Sequence, residues 1–198
     1  MNKEKPTSSR TGLAILTVAL AGLAFAGCTT STPSPGPTTA AEQRSDINKT
    51  ADEVLSRLYE TVPASREMVQ QARGVLVFPA VLGASFVVGA EHGKGVLRVN
   101  GRNDGYYSIS GGSFGFQAGA QSRAIVLLFM TQEGLDQFRN SSGWTVGADA
   151  TVAVAEIGVN GTIDTNTARE SIVGFVLNNA GIMAGVSLQG SKIDKISL

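Results

Sequence analysis

The chain has 198 residues, of which 42% are hydrophobic, 16% are charged and 24 are glycine; this supports one domain with its own core and leaves little for a second. Sixteen basic and sixteen acidic residues balance to zero, which removes the electrostatic case for a nucleic-acid partner. One Cys and one His exclude a disulfide within the chain and a closed zinc site of four Cys or His ligands.

Residues 1–27 fall into three parts: a basic start (Lys3, Lys5, Arg10), an apolar run over 13–24 (LAILTVALAGLA) and a small-residue end, Phe25-Ala26-Gly27, before Cys28. The pattern predicts a secretory signal peptide, because the run is too short to span a bilayer comfortably. Small residues directly before a lone Cys resemble the bacterial lipobox, although Phe25 stands where leucine is usual. The resemblance implies a diacylglycerol on the Cys28 thiol, cleavage ahead of it and acylation of the new amine. Acyl chains in this number make a lasting anchor. Thr29 in place of Asp after the Cys implies sorting to the outer membrane; a periplasm-facing anchor is the expected placement, which Thr29 itself does not decide. An ordinary signal peptide with an incidental Cys is the alternative. Removal of residues 1–27 leaves 13 basic and 15 acidic residues, a charge near −2.

Residues 29–41 (TTSTPSPGPTTAA) alternate Pro33, Pro35 and Pro37 with small polar residues. They predict a semi-rigid spacer, so that residues 28–44 form a lipidated Cys and linker and residues 45–198 the folded domain. Over 45–61, Ile47, Ala51, Val54, Leu55 and Leu58, followed by Val62, fall at helical spacing, with Ser45 or Asp46 as the cap. A second helix is expected over 64–73, opened by Pro63 and closed by Gly74. Such helices usually cover a sheet; lying on a membrane near the anchor is the other option.

From Val75 onward the texture becomes strand-like. Short apolar runs at 75–79, 124–130 and 172–177 alternate with turn signals at G-K-G (93–95), N-G (100–101), N-D-G (103–105), N-G (160–161) and N-N-A-G (178–181). One helix is expected at 132–139, entered through Thr131. The expected fold is α+β: N-terminal helices packed on a strongly curved antiparallel sheet or partly closed barrel.

A degenerate repeat runs through this part: S-F-V-V-G-A-E at 85–91, G-F-Q-A-G-A-Q at 115–121, G-W-T-V-G-A-D at 143–149 and G-I-M-A-G-V-S at 181–187. The period of two predicts four amphipathic strands carrying matched structural glycines at Gly89, Gly119, Gly147 and Gly185, with Gly115 beside them. Glycine inside a strand marks curvature, a bulge or a close backbone approach. The glycines of 111–119 fit neither the Walker nor the dinucleotide spacing, bring no Lys and lead into strand residues, so a nucleotide loop is set aside.

Catalytic chemistry finds little support. His92 falls in E-H-G-K-G at an expected turn, and Glu91, Asp149 and Glu156 have the bland reading of solvated strand residues. A hydrolase built on those three carboxylates is the weakest class. Lys94, Arg98 and Arg102 lie close together along one hairpin and are the candidate lipid-headgroup residues, although three cations do not make a polybasic cluster and plain surface charge is the favoured reading.

A-R-G-V-L-V-F-P at 72–79, G-A-E-H-G-K-G-V-L-R-V at 89–99, G-Y-Y-S at 105–108, G-F-Q-A-G-A-Q-S at 115–122, L-L-F-M-T-Q-E-G-L-D-Q-F at 127–138, G-W-T-V-G-A-D-A at 143–150 and G-I-M-A-G-V-S-L-Q-G at 181–190 occur in order. Together they resemble the SYLF lipid-binding domain family, in its bacterial exported lipoprotein branch. The resemblance implies a non-enzymatic domain that binds membrane phospholipids without cofactor or metal. Eukaryotic members of this kind bind phosphoinositides and some bind actin. Neither partner carries over to an exported lipoprotein, and V-L-G-A-S at 81–85 lacks the basic residue those members often have there. The competing class is an envelope interaction protein that binds another protein or peptidoglycan.

Overall fold

The computed structural model describes residues 39–156, 163–164 and 167–198, with the backbone alone at 85–88, 113–120 and 168. The leader, Cys28, most of the linker and the N-G at 160–161 lie outside the described residues. Residues 37–198 form one compact unit.

Helix α1 spans Ala40–Thr61, and α2 spans Ser65–Gln71. The start of α1 corrects the expected boundary: residues 40–44, read as linker, are helical. Thr39, not Ser45 or Asp46, is the cap. Its hydroxyl accepts from Glu42 N while the Glu42 carboxylate accepts from Thr39 N at 2.7 Å, a reciprocal capping box. The apolar stripe lies where its spacing predicts, with Ile47, Ala51, Val54, Leu55 and Leu58 buried.

Two very long strands follow, β1 (Gly74–Val99) and β2 (Arg102–Phe129), joined by a tight turn at Asn100 (φ 51°) and Gly101 (φ 72°). Only this N-G makes the hairpin turn; positive φ at both central residues matches the twist of the flanking strands. G-K-G at 93–95 and N-D-G at 103–105, read as turns, lie inside β1 and β2. His92, placed by the sequence at a turn, is likewise a strand residue paired with Ser110. The register slips at three places, and Pro79 sits at the first of them, between Phe78 and Val81. A residue without an N–H is tolerated where the ladder is already interrupted.

The hairpin folds back on itself. Gly93 lies against Ala80 and Val81, and Gly95 against Val77 and Phe78, so the two halves of β1 cross near its middle. Helix α3 (Gln132–Asn140) follows β2, with the Thr131 hydroxyl accepting from Gly134 N as expected. The remaining strands are β3 (Trp144–Thr145), β4 (Ala153–Val154), β5 (Ile172–Asn178), β6 (Gly181–Ile182) and β7 (Lys192–Ile196). The order is β3-β7-β2-β5-β4, with β1 on β2 and β6 on β5. Among the described strands all pairs are antiparallel except β4–β5, so the curved half-barrel is mixed, not purely antiparallel.

Side-chain alternation sorts the sheet into two cores. Val75, Val77, Val126, Leu128, Val173 and Phe175 face α1 and α2, packing on Ala51, Val54 and Leu58. Leu76, Phe78, Ile125, Leu127 and Phe129 face inward, onto α3 and the folded-over half of the hairpin. Phe138 of α3 sits at the centre of an aromatic group, 4.9 Å from Tyr107, 4.8 Å from Phe129 and edge-on to Trp144 at 5.4 Å.

The repeat resolves into two kinds of structure. Gly89, Gly115 and Gly119 are strand residues at the bend of the hairpin, paired with Ser113, Val87 and Ser85. Gly147 (φ 88°) and Gly185 (φ 68°) lie outside the strands, with positive φ. The expected four matched strands are therefore two. In the other copies the same glycine spacing serves chain reversals, where only glycine adopts the backbone without strain.

Candidate functional site

The three hairpin cations do not form one open patch. Strand alternation turns Lys94 and Arg98 toward α1. Lys94 Nζ donates to Gln43 Oε1 at 2.9 Å, and Arg98 pairs with Asp52 while donating to the Asn48 carbonyl at 3.2 Å. The Arg98 side chain is only 16% exposed. These two residues fasten the hairpin to the helix that covers it. Arg102, beside the turn, is exposed and has no ion pair among the described residues.

The carboxylates weighed for hydrolysis are dispersed in role. Glu91 pairs with Arg123 of β2, Asp149 accepts from Thr145 N at 2.6 Å inside a turn, and Glu156 is exposed after β4. His92 is exposed on β1.

The concave features gather around the bend of the hairpin and the adjoining end of β5. In the crease of β1 a cleft of about 360 Å³ is lined by Leu82, Gly83, Ala84, Ala90, Glu91 and His92, together with Gln121 and Ser122 of β2, the ladder partners of Gly83 and Leu82. Leu82 is 64% exposed, the one large exposed hydrophobic among the described residues. Beyond the end of β5 a second cleft, about 420 Å³, is lined by Gln121, Ser122, Arg123, Asn178, Asn179 and Met183. A third, of about 460 Å³, lies at the start of α1, between Gln43, Asp46, Ile47, Pro79, Ala80 and Lys94.

Arg123 was not among the sequence candidates. It bounds an apolar strand run, where a charge reads as an ordinary strand end, and its partner Glu91 is 32 residues away. No local pattern marks the pair. It forms because the fold-back carries Glu91 into the crease, where a Cβ on Gly83 would meet the Glu91 Cβ at 3.8 Å. The Arg123 Nε is buried without a hydrogen-bond partner, an arrangement that is costly and uncommon.

Residues 110–196 match the family model described as Ysc84, Las17-binding protein actin regulator. The chain is similar to SH3 domain-containing YSC84-like protein 1 of Homo sapiens, 29% identical over 159 residues, covering 76% of this chain and 45% of that protein. It is also similar to the Mus musculus protein of the same name, 26% identical over 157 residues, covering 76% and 46%. The chain thus spans less than half the length of the curated relatives it matches.

Proposed function

We propose that this chain, a member of the Ysc84 (SYLF) family, is a lipid-anchored, non-enzymatic protein of the bacterial envelope whose single domain binds membrane phospholipids. The observation that supports this reading best is the chemistry of the bent hairpin. No charged residue occurs over 82–90 or over 110–122, stretches that together carry Phe86, Phe114 and Phe116. Leu82, at the edge of this zone, is exposed. An uncharged strand pair with exposed apolar surface suits the boundary between headgroups and acyl chains. Cys28, acylated, would keep the domain at that surface through the linker, in the outer membrane and facing the periplasm. An exported chain meets no actin, so the actin regulation in the family description is not carried over.

The test is co-sedimentation of residues 37–198 with anionic and with zwitterionic vesicles; pelleting with neither removes the reading. Anchoring is tested separately by metabolic labelling of the full chain with palmitate. Label that persists in Cys28→Ser would refute attachment at that thiol. One observation favours the interaction class: among the described strands β1 pairs with β2 only, so its far edge has hydrogen-bonding groups to offer another chain. Crosslinking in cells that recovers one dominant protein and no lipid would favour that class.

A further inference from the structure

The Glu91–Arg123 pair stands between two clefts of opposite character. Gln121 and Ser122 of β2 line both of them. On the β1 side the wall is Leu82, Gly83, Ala84 and Ala90, with Glu91 and His92 at its margin. On the other side, at the end of β5, the wall is Arg123 of β2 with Asn178 and Asn179.

The second cleft is rich in hydrogen-bond donors. The Asn178 Oδ1 already accepts from Ala180 N at 2.8 Å, which leaves its amide N–H groups to donate. The Arg123 guanidinium lies at its wall, its Nε buried and without a partner, and Gln121, Ser122 and Asn179 bring further donors. No carboxylate is among the described residues lining this cleft. Such a set asks for an oxygen-bearing acceptor of tetrahedral or planar form, and a phosphodiester supplies two unesterified oxygens. The neighbouring cleft asks for a hydrocarbon.

We propose that one phosphodiester amphiphile, a phospholipid or lysophospholipid, binds across β2 at Gln121 and Ser122. Its phosphate takes the Asn178 and Asn179 amides beside the Arg123 guanidinium, and its acyl chain follows Leu82, Ala84 and Ala90. This deepens and rests on the lipid-binding reading: adsorption to a surface becomes a site of defined stoichiometry. Glu91 offsets most of the Arg123 charge, so selection works through donor geometry and apolar fit more than through net charge, and a zwitterionic headgroup is accepted.

The experiment uses residues 37–198, the compact unit that holds both cores, and titrates three probes by native mass spectrometry. They are lysophosphatidylethanolamine below its micelle concentration, inorganic phosphate and a monoacylglycerol of the same chain length. The expected result is one-to-one binding of the lysophospholipid, at least ~10-fold tighter than either other probe, since each carries only half of the recognised chemistry. Asn179→Asp, at an exposed position, should weaken the lysophospholipid ~10-fold by setting a carboxylate beside the phosphate, while monoacylglycerol binding stays unchanged. Glu91→Gln combined with Arg123→Gln, which strands no charge, should weaken it as well. Inorganic phosphate binding as tightly as the lysophospholipid would make this a free-anion site and overturn the proposal. So would lysophospholipid binding indifferent to both variants. Vesicle pelleting without one-to-one binding would overturn the site yet leave the lipid-binding function standing; failure of both would remove both.

Discussion

Gly95 packs against Phe78 of its own strand: a Cβ on Gly95 would stand 2.6 Å from the Phe78 Cδ1, and nearer still to the Val77 carbonyl oxygen. The missing side chain is therefore what lets β1 cross itself. Gly93 repeats the contact one pleat away, where a Cβ would meet the Ala80 carbonyl at 2.7 Å. At both positions the nearest atom is a backbone carbonyl oxygen, which cannot rotate aside.

Gly95→Ala is expected to destabilise the domain by about 2–3 kcal/mol, the usual cost of overpacking a rigid interior. Gly112→Ala is the control, because the nearest atom to its added Cβ is 3.9 Å away, and it should shift stability by less than about 1 kcal/mol. Urea unfolding of both variants decides the matter. Equal losses would mean that the crossing does not depend on glycine.

Leu82 offers the cleanest separation of binding from folding. Its side chain is 64% exposed, so Leu82→Asp removes little native packing. Vesicle affinity should fall at least ~10-fold, since burial of a leucine side chain is worth about 1.5–3 kcal/mol and the new carboxylate resists desolvation. The melting temperature should stay within a few degrees of wild type. Unchanged sedimentation with intact folding would place the membrane contact elsewhere.

The hairpin cations divide by what already holds them. Lys94 and Arg98 bond to Gln43, Asp52 and Asn48 of α1, so Lys94→Gln and Arg98→Gln should change vesicle binding by less than ~2-fold, the affinity span of a fraction of a kcal/mol. Arg98→Gln should cost no more than about 1 kcal/mol of stability, because its partner Asp52 is 66% exposed and solvent screens the pair. Arg102→Gln should weaken binding to anionic vesicles ~5-fold and leave zwitterionic vesicles unaffected, as expected for about 1 kcal/mol from one cation near a charged surface. A larger effect from Arg98 than from Arg102 would mean that α1 yields the hairpin to the membrane.

What the sequence made legible follows from how local each signal is. Helix α3 and its Thr131 cap, the stripe of α1 and the buried β5 run are set by neighbours within one or two turns of chain. The expected curved α+β architecture is the one found. The capping box of Thr39 and Glu42 is also local, but it is masked by the linker-like composition around it. The length of β1 and β2 was not legible: Gly93, Gly95 and Gly105 read as turn residues, yet they lie in strands. At Gly93 and Gly95 the glycine answers a contact with residues more than ten positions away. The clefts around Leu82 and Arg123 exist only once that crossing forms, and so the sequence directed attention to Lys94 and Arg98, which the fold commits to α1.

Tyr107 gives a prediction on pH. Its ring packs on Phe138 and its hydroxyl is buried without a hydrogen-bond partner. Burial pushes the phenol above its ordinary value, nearby Asp104 adds to the rise, and Arg139 opposes it. A raised value means that the folded state holds the neutral phenol more tightly than the unfolded chain does, whose tyrosine titrates near about 10. Stability from this group is therefore complete below about pH 10 and is lost as pH climbs through the folded value. Tyr59, also raised chiefly by burial, acts in the same direction, so Tyr107→Phe should reduce the alkaline loss without erasing it. At neutral pH the variant should match wild type or gain up to about 1 kcal/mol, since the removed oxygen had no partner. Urea midpoints of both proteins at about pH 8 and about pH 11 provide the comparison; an identical loss in the two would show that the Tyr107 hydroxyl reaches water in the folded state.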